Sequence, residues 1–246
     1  MFAFEIWGKF ASFRDPFTIS QNISLPIPPK TTVAGMMASI LGIEEYFEDS
    51  AFSSFKYSVV VLNPIRKKSF SQNYINDYTS KVQRHLNSLK KSDYSKIGEG
   101  FRDKKNPQKP INRELLIEPR YLIFIKDFDY EEKITNYLME KISKFPFYLG
   151  NSEFAGSFNY VKIEEFSKKD NQTLQVDSFI LEEDISNINF EEGIRYSTIS
   201  FATLLNKDRS PIGLYSVVVG SKAMSVSNID TYAILCKDRE YNCRFL

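Results

Sequence analysis

Alternation opens the chain: Phe2, Phe4 and Ile6 share one face of an extended segment that ends at Trp7, as a half-buried strand requires. Prolines at 26, 28 and 29 then hold the backbone extended. After them Val33, Met36, Met37, Ile40 and Leu41 fall at i, i+3, i+4, i+7 and i+8, the stripe of a helix facing a core. The spacing predicts a helix over 32–41, capped by Thr31 or Thr32 and stopped by a left-handed Gly42. Residues 55–62 read as a second strand and 115–126 as a third, centred on Tyr121-Leu122-Ile123-Phe124-Ile125. An Asp129-x-x-Glu132 box opens a second helix with apolar positions Ile134, Tyr137, Leu138, Ile142 and Phe145, ended by Pro146. Residues 158–166 supply a fourth strand.

The order β-α-β-β-α-β is that of an α+β, ferredoxin-like (RRM-like) domain over 1–166. A segment of about 50 residues, 63–113, is inserted between strands two and three, too long for a turn. Lys81, Val82, Leu86 and Leu89 suggest a short helix within it, and Gly98 to Pro107 a mobile tip. From 167 to 246 the chain is β-rich, with strands expected at 174–181, 194–201, 213–219 and 231–235. Both helices of such a domain cover one sheet face, which leaves the other face for a ligand, as in RNA-recognition modules. The aromatic signature of those modules is absent from 115–126, so base stacking has to come from elsewhere.

The net charge of +1 hides an asymmetry. Between 66 and 120 there are 14 Lys and Arg against 6 Asp and Glu, and between 127 and 192 there are 6 against 15. The first segment suits a polyanion or is a solvated basic insertion. Interleaved Phe70, Tyr74, Tyr78, Tyr94 and Phe101 favour nucleic acid, since bases stack on such rings for about 1–3 kcal/mol each. The start of the helix after Pro29 adds unpaired N–H groups and a positive dipole end beside Lys30, Thr31 and Thr32. That start is either a phosphate site or an ordinary capped core helix. Phe13 and Arg14, in the loop leaving strand one, offer a stacking plane and a phosphate fork, or else a core Phe beside a solvated Arg.

Other chemistry finds little support. Cys236 and Cys243 are spaced for neither a redox pair nor a zinc site, and no cofactor or metal is expected. No apolar run has the length of a membrane span and no signal peptide is readable, so a cytoplasmic protein is expected. The single histidine, His85, stands beside Arg84 in the basic insertion, with Tyr78, Lys81 and Tyr94 close enough to leave metal-independent RNA cleavage open. No nucleophile elbow, Walker loop or dinucleotide fingerprint occurs.

Three stretches carry a resemblance. They are Gly8-Lys9-Phe10-Ala11-Ser12-Phe13-Arg14-Asp15-Pro16, the run from Pro28 to Gly42, and Tyr148-Leu149-Gly150-Asn151-Ser152-Glu153. In order and composition they resemble the Cas-five family of CRISPR-associated proteins, in the RAMP superfamily. The resemblance implies a noncatalytic subunit of a type I Cascade of the I-B kind, which holds the 5′ handle of the CRISPR RNA and caps the backbone filament. The inserted segment would be its thumb. Implied partners are the handle, the backbone Cas-seven subunit and the large Cascade subunit, with target DNA a further candidate. The alternative is an endoribonuclease that processes precursor CRISPR RNA. Carried over to matching positions, the handle contacts are Lys9, Phe13, Arg14, Lys30, Thr31 and Thr32. By charge alone, Arg66, Lys67, Lys68, Arg102, Lys104, Lys105 and Arg113 are candidate phosphate partners on the thumb.

Overall fold

Strand β1 (Phe2–Gly8) leads into a loop with short paired pieces, and this loop delivers the proline run to helix α1 (Lys30–Leu41). A computed structural model of the chain describes residues 1–18, 21–75, 79–95, 108–169, 173–206, 208 and 210–246. After α1 come β2 (Lys56–Val61), β3 (Arg66–Ile75), α2 (Thr79–Lys90), β4 (Gln108–Ile117), β5 (Arg120–Lys126), α3 (Glu131–Glu140) and β6 (Gly156–Val161). The strands β6, β1, β5 and β2 form one antiparallel sheet in that order.

One face of this sheet carries Phe2, Phe4 and Ile6 against Val33, Met37 and Ile40 of α1 and Ile134 and Leu138 of α3, all buried. Each of the large aliphatic side chains buried there contributes about 1.5–3 kcal/mol, which fixes α1 on the sheet. The stripe expected along α1 is the buried one, and Gly42 stops the helix at φ 77° with its N–H on the Ala38 carbonyl. The start differs: the helix begins at Lys30, Pro29 occupies the cap position, and neither Thr31 nor Thr32 caps it. The Asp129 box does not form either. The cap position of α3 is Tyr130, whose hydroxyl donates to Asp49 Oδ2 at 2.8 Å. That helix stops at a left-handed Lys141, well before Pro146, so Ile142 and Phe145 lie beyond it and are partly exposed.

The expected single strand over 115–126 is two strands in different sheets. Glu118 takes a left-handed φ of 47° and Pro119 has no N–H to continue a ladder, so the chain turns between β4 and β5. Strand β4 pairs with β3 through ten consecutive positions, Arg66 with Ile117 out to Ile75 with Gln108, and this ribbon with α2 is the inserted arm. The expected helix forms, with Leu86 and Leu89 both exposed, whereas the tip from Gly98 to Pro107 lies outside the described residues. At the root of the arm, Phe10–Ala11 pairs with Leu116–Ile117, and Gln21–Asn22 with Asn112–Arg113.

The expected fourth strand is also divided, because β6 ends at Val161 and β7 (Glu165–Lys169) joins another sheet. The remaining long strands are β8 (Tyr196–Leu205), β9 (Pro211–Gly220), β10 (Thr231–Cys236) and β11 (Arg239–Cys243). The sheet β7-β10-β11 covers the second face of the first sheet. There Ala3, Val60, Leu122, Phe124 and Val161 pack with Ile234, Cys236, Tyr241, Cys243 and Phe245. The face expected to be free for a ligand is therefore a second core. Both cysteines are buried in it as free thiols, and burial pushes Cys236 up to about 11. The β8-β9 hairpin goes to the helical side, where Phe201, Val217 and Val219, with Phe179 and Leu181, join the core of α1. Among the described residues, no helix is long and apolar enough to cross a membrane.

Candidate nucleic-acid interface

Two buried tyrosines set the start of α1. The Tyr121 hydroxyl donates to the Pro26 carbonyl at 2.7 Å and the Tyr57 hydroxyl to the Pro28 carbonyl at 3.4 Å, which pins the proline run against the sheet. Val33 N–H bonds to the Pro29 carbonyl, while the N–H groups of Lys30, Thr31 and Thr32 have no acceptor among the described residues. These are the orphan donors of a helix start. Thr31 and Thr32 are half-buried and, with Gly35 and Tyr46, line a cleft of about 210 Å³.

The far wall of this cleft is Tyr148 and Gly150. Gly150 has φ 89°, and a Cβ there would stand 2.0 Å from the Ser12 carbonyl oxygen, so only glycine lets the two loops touch. The contact is held by Ser12 N–H on the Leu149 carbonyl at 3.1 Å. On the other side of Tyr148 and Gly150 lies a second cleft of about 420 Å³ with Arg14, Asn22, Arg113, Asn151, Ser152 and Glu153 in its walls. The two clefts adjoin at Tyr148 and Gly150, which stand in the walls of both, and form a two-part groove with one part at the helix start and the other at the root of the arm.

Of the residues singled out in the sequence, Thr31, Thr32, Arg14 and Arg113 line this groove. Arg14 is exposed, with Nη2 3.5 Å from the Thr18 carbonyl. Arg113 is buried and already engaged: Nη1 donates to Gln72 Oε1 and Nη2 to Glu153 Oε2, each at 2.8 Å. It braces the arm against the 148–154 loop instead of standing open to a phosphate. Phe13 is a core residue with its ring 6.0 Å from that of Tyr121, so it offers no stacking plane. Lys30 is buried too, its Nζ 4.9 Å from the Phe55 ring centroid, and desolvation lowers its pKa to about 8. An ammonium covered in this way is not a surface phosphate partner.

Lys9 is exposed at the end of β1, away from the groove walls. On the arm, Arg66 pairs with Glu118. Lys67 Nζ reaches Glu114 Oε1 and the Ser24 carbonyl, both at 2.8 Å. Lys68 is exposed and in no ion pair among the described residues. Arg102, Lys104 and Lys105 lie outside the described residues, as do Tyr78 and the side chains of Lys81 and His85.

Residues 1–208 match the family of CRISPR-associated protein (Cas_Cas5). The chain belongs to that family. Two solved structures share the fold of this Cas5-family chain across most of its length. One is a chain of a CRISPR RNA-guided surveillance complex, with a TM-score of 0.50 and 13% identity, covering 91% of this chain and 90% of that one. The other is a chain of the type III-B Cmr-beta complex bound to cognate target RNA and AMPPnP, with a TM-score of 0.50 and 15% identity, covering 91% and 86%. No curated protein matches the chain in sequence.

Sequence reasoning did not single out Tyr148, which is 42% exposed in the middle of the groove, or Asn22 and Asn151 beside it. An aromatic residue directly before Leu149-Gly150 was the available signal for the first. Asn151 stands in that same quoted stretch, whereas nothing local marks Asn22, which reaches the groove because 21–22 pairs with the arm.

Proposed function

We propose that this Cas5-family protein is a noncatalytic RNA-binding subunit of a CRISPR surveillance complex, a type I Cascade of the I-B kind, working in the cytoplasm. Its first sheet and two helices are a ferredoxin-like RAMP core. It holds the 5′ handle of the CRISPR RNA in the groove and caps the backbone filament, with the arm reaching the backbone Cas-seven subunit and the large subunit nearby. The observation that carries this reading is a path of two adjoining clefts, one walled by Thr31 and Thr32 and the other by Arg14, with Tyr148 and Gly150 common to both. Along that path lie orphan helix N–H donors, an exposed aromatic ring and an exposed guanidinium, which suit phosphate, base and phosphate in turn.

The test is a titration of labelled repeat RNA with purified protein in EDTA, read by fluorescence anisotropy and by gel. Saturable binding of intact RNA, weakened by Tyr148→Ala and Arg14→Ala, is the expected result. Site-specific cutting lost in His85→Ala would replace the scaffold with a processing endoribonuclease. Binding unaffected by either groove substitution would move the RNA elsewhere.

A further inference from the structure

The single tryptophan of the chain, Trp7, is 37% exposed on the sheet face opposite α1 and α3. It shares that face with Ala3 and Glu5, since side chains alternate along β1. The covering sheet shields Ala3 and reaches Glu5 through Lys237, in the β10-β11 turn, while Trp7 stays open at the margin. Its neighbours in register are Arg120 on β5 and Ser157 on β6. Paired residues of adjacent antiparallel strands have Cβ atoms about 4.5–5.5 Å apart, so the indole and the Arg120 side chain stand side by side.

Charge decides what such a ring would receive. Glu5 is 3% exposed and is the single carboxylate bonded by both Arg120 and Lys237, whose side chains are 54% and 55% exposed. One negative charge thus answers two positive ones beside the indole. Lys9, two residues beyond Trp7, is exposed and in no ion pair among the described residues, its Nζ 5.8 Å from the centroid of the Phe10 ring. An apolar protein partner would have to strip water from these cations with nothing to offer in return. A polyanion with flat, stackable groups meets both features, the ring by stacking and the cations by phosphate.

The geometry points to a second nucleic-acid contact, in which Trp7 stacks on a base of a single strand while Arg120 and Lys9 take the flanking phosphates. It lies on the other side of the sheet from the helix-start groove, and it does not require the groove to hold RNA.

Because Trp7 is the only tryptophan, its emission reports this contact directly. Titration of the whole protein with a short unstructured oligoadenylate is expected to quench the indole saturably, with the quench relieved as salt rises. Arg14→Ala, in the groove, is expected to leave the quench in place. Trp7→Ala, its fold checked by thermal melting, is expected to weaken binding of the labelled oligonucleotide about 5- to 100-fold, with Trp7→Phe in between. Lys9→Ala, which removes no ion pair and only the ammonium's contact with the Phe10 ring, is expected to lower the salt slope by about 0.7. Oligonucleotide that binds without changing Trp7 emission would overturn the inference, and so would wild-type affinity in Trp7→Ala. Quenching by a purified protein partner of the complex but not by the oligonucleotide would assign the patch to protein instead.

Discussion

Arg113 Nη2 lies 2.8 Å from Glu153 Oε2, and this pair joins the inserted arm to the loop that forms the middle of the groove. The guanidinium is 7% exposed and the carboxylate 57% exposed, so the two partners are unequal. Arg113→Met strands Gln72 and Glu153, but both can turn to water. The expected loss is about 1–3 kcal/mol of stability, with a further loss of RNA affinity as the groove walls part. Glu153→Gln keeps one acceptor and is expected to cost less than half as much. Urea unfolding of the two variants checks the order.

Gly150 gives a sharper structural prediction. Gly150→Ala sets a Cβ 2.0 Å from a backbone oxygen at a left-handed φ, and it is expected to cost at least about 2 kcal/mol. Gly193 has a similar φ of 80° but open space around it. Gly193→Ala should then show the left-handed cost alone, about 1–2 kcal/mol. A comparison of thermal melts separates strain from collision.

Lys30 supplies a pH signature. Its pKa falls from an ordinary 10.5 to about 8 when the protein folds, because burial disfavours the ammonium. The unfolded chain therefore binds more protons between those values, and stability contributed at this site rises with pH from about 8 to 10.5. Below 8 both states carry the proton and the penalty is full. Lys30→Met is expected to be more stable than the parent at neutral pH and to lose the alkaline rise, while binding RNA with parental affinity. Chemical denaturation across that pH range measures the first two effects and anisotropy the third.

Glu5 predicts the opposite limb. Burial alone would raise its pKa, but the hydrogen bonds from Arg120 and Lys237 outweigh that and hold it below the ordinary 4.5. Its stabilisation is complete above the ordinary value and is lost as pH falls through the lower, folded one. Glu5→Gln is expected to remove that part of the acid transition and to destabilise the protein at neutral pH, both visible in unfolding curves at several acid pH values.

Electrostatic contacts in the groove and on the arm are counted by salt. Each phosphate neutralised on a single strand contributes about 0.7 to the slope of log affinity on log salt. Arg14→Ala and Lys68→Ala are each expected to reduce the slope by that amount, and an unchanged slope removes that residue from the strand's path.

Legibility in the sequence followed the range of the forces involved. The α1 stripe could be read because a spacing of 3.6 is local, and so could the Gly42 stop. The break at Glu118-Pro119 escaped because two apolar runs, 115–117 and 121–125, flank it closely enough to read as one strand, although Pro119 between them was a local signal for the turn. Lys30 looked like a surface cation, since Phe55, whose ring covers it, is 25 positions away. Glu5 falls between Phe4 and Ile6, on the opposite face of the alternating strand, and no local signal marks it as buried. Its two cations come from positions 120 and 237, and the sheet above it could not be assigned to that face by periodicity. Of the groove, the three quoted stretches named most of the walls. Their assembly depended on Gly150 meeting Ser12, a contact no spacing rule contains.

The ribbon β3-β4 behaves as a beam. Ten consecutive paired positions run from its root to Ile75 and Gln108, and bending it sharply would break several rungs at once. A subunit that grasped the outer part of this beam would therefore move its inner half, where Arg113, opposite Phe70, is bonded to Glu153 in the loop that carries Tyr148 and Gly150. Assembly at a distance would in this way be felt as a change in the width of the channel, with no contact between the newcomer and the strand lying in it.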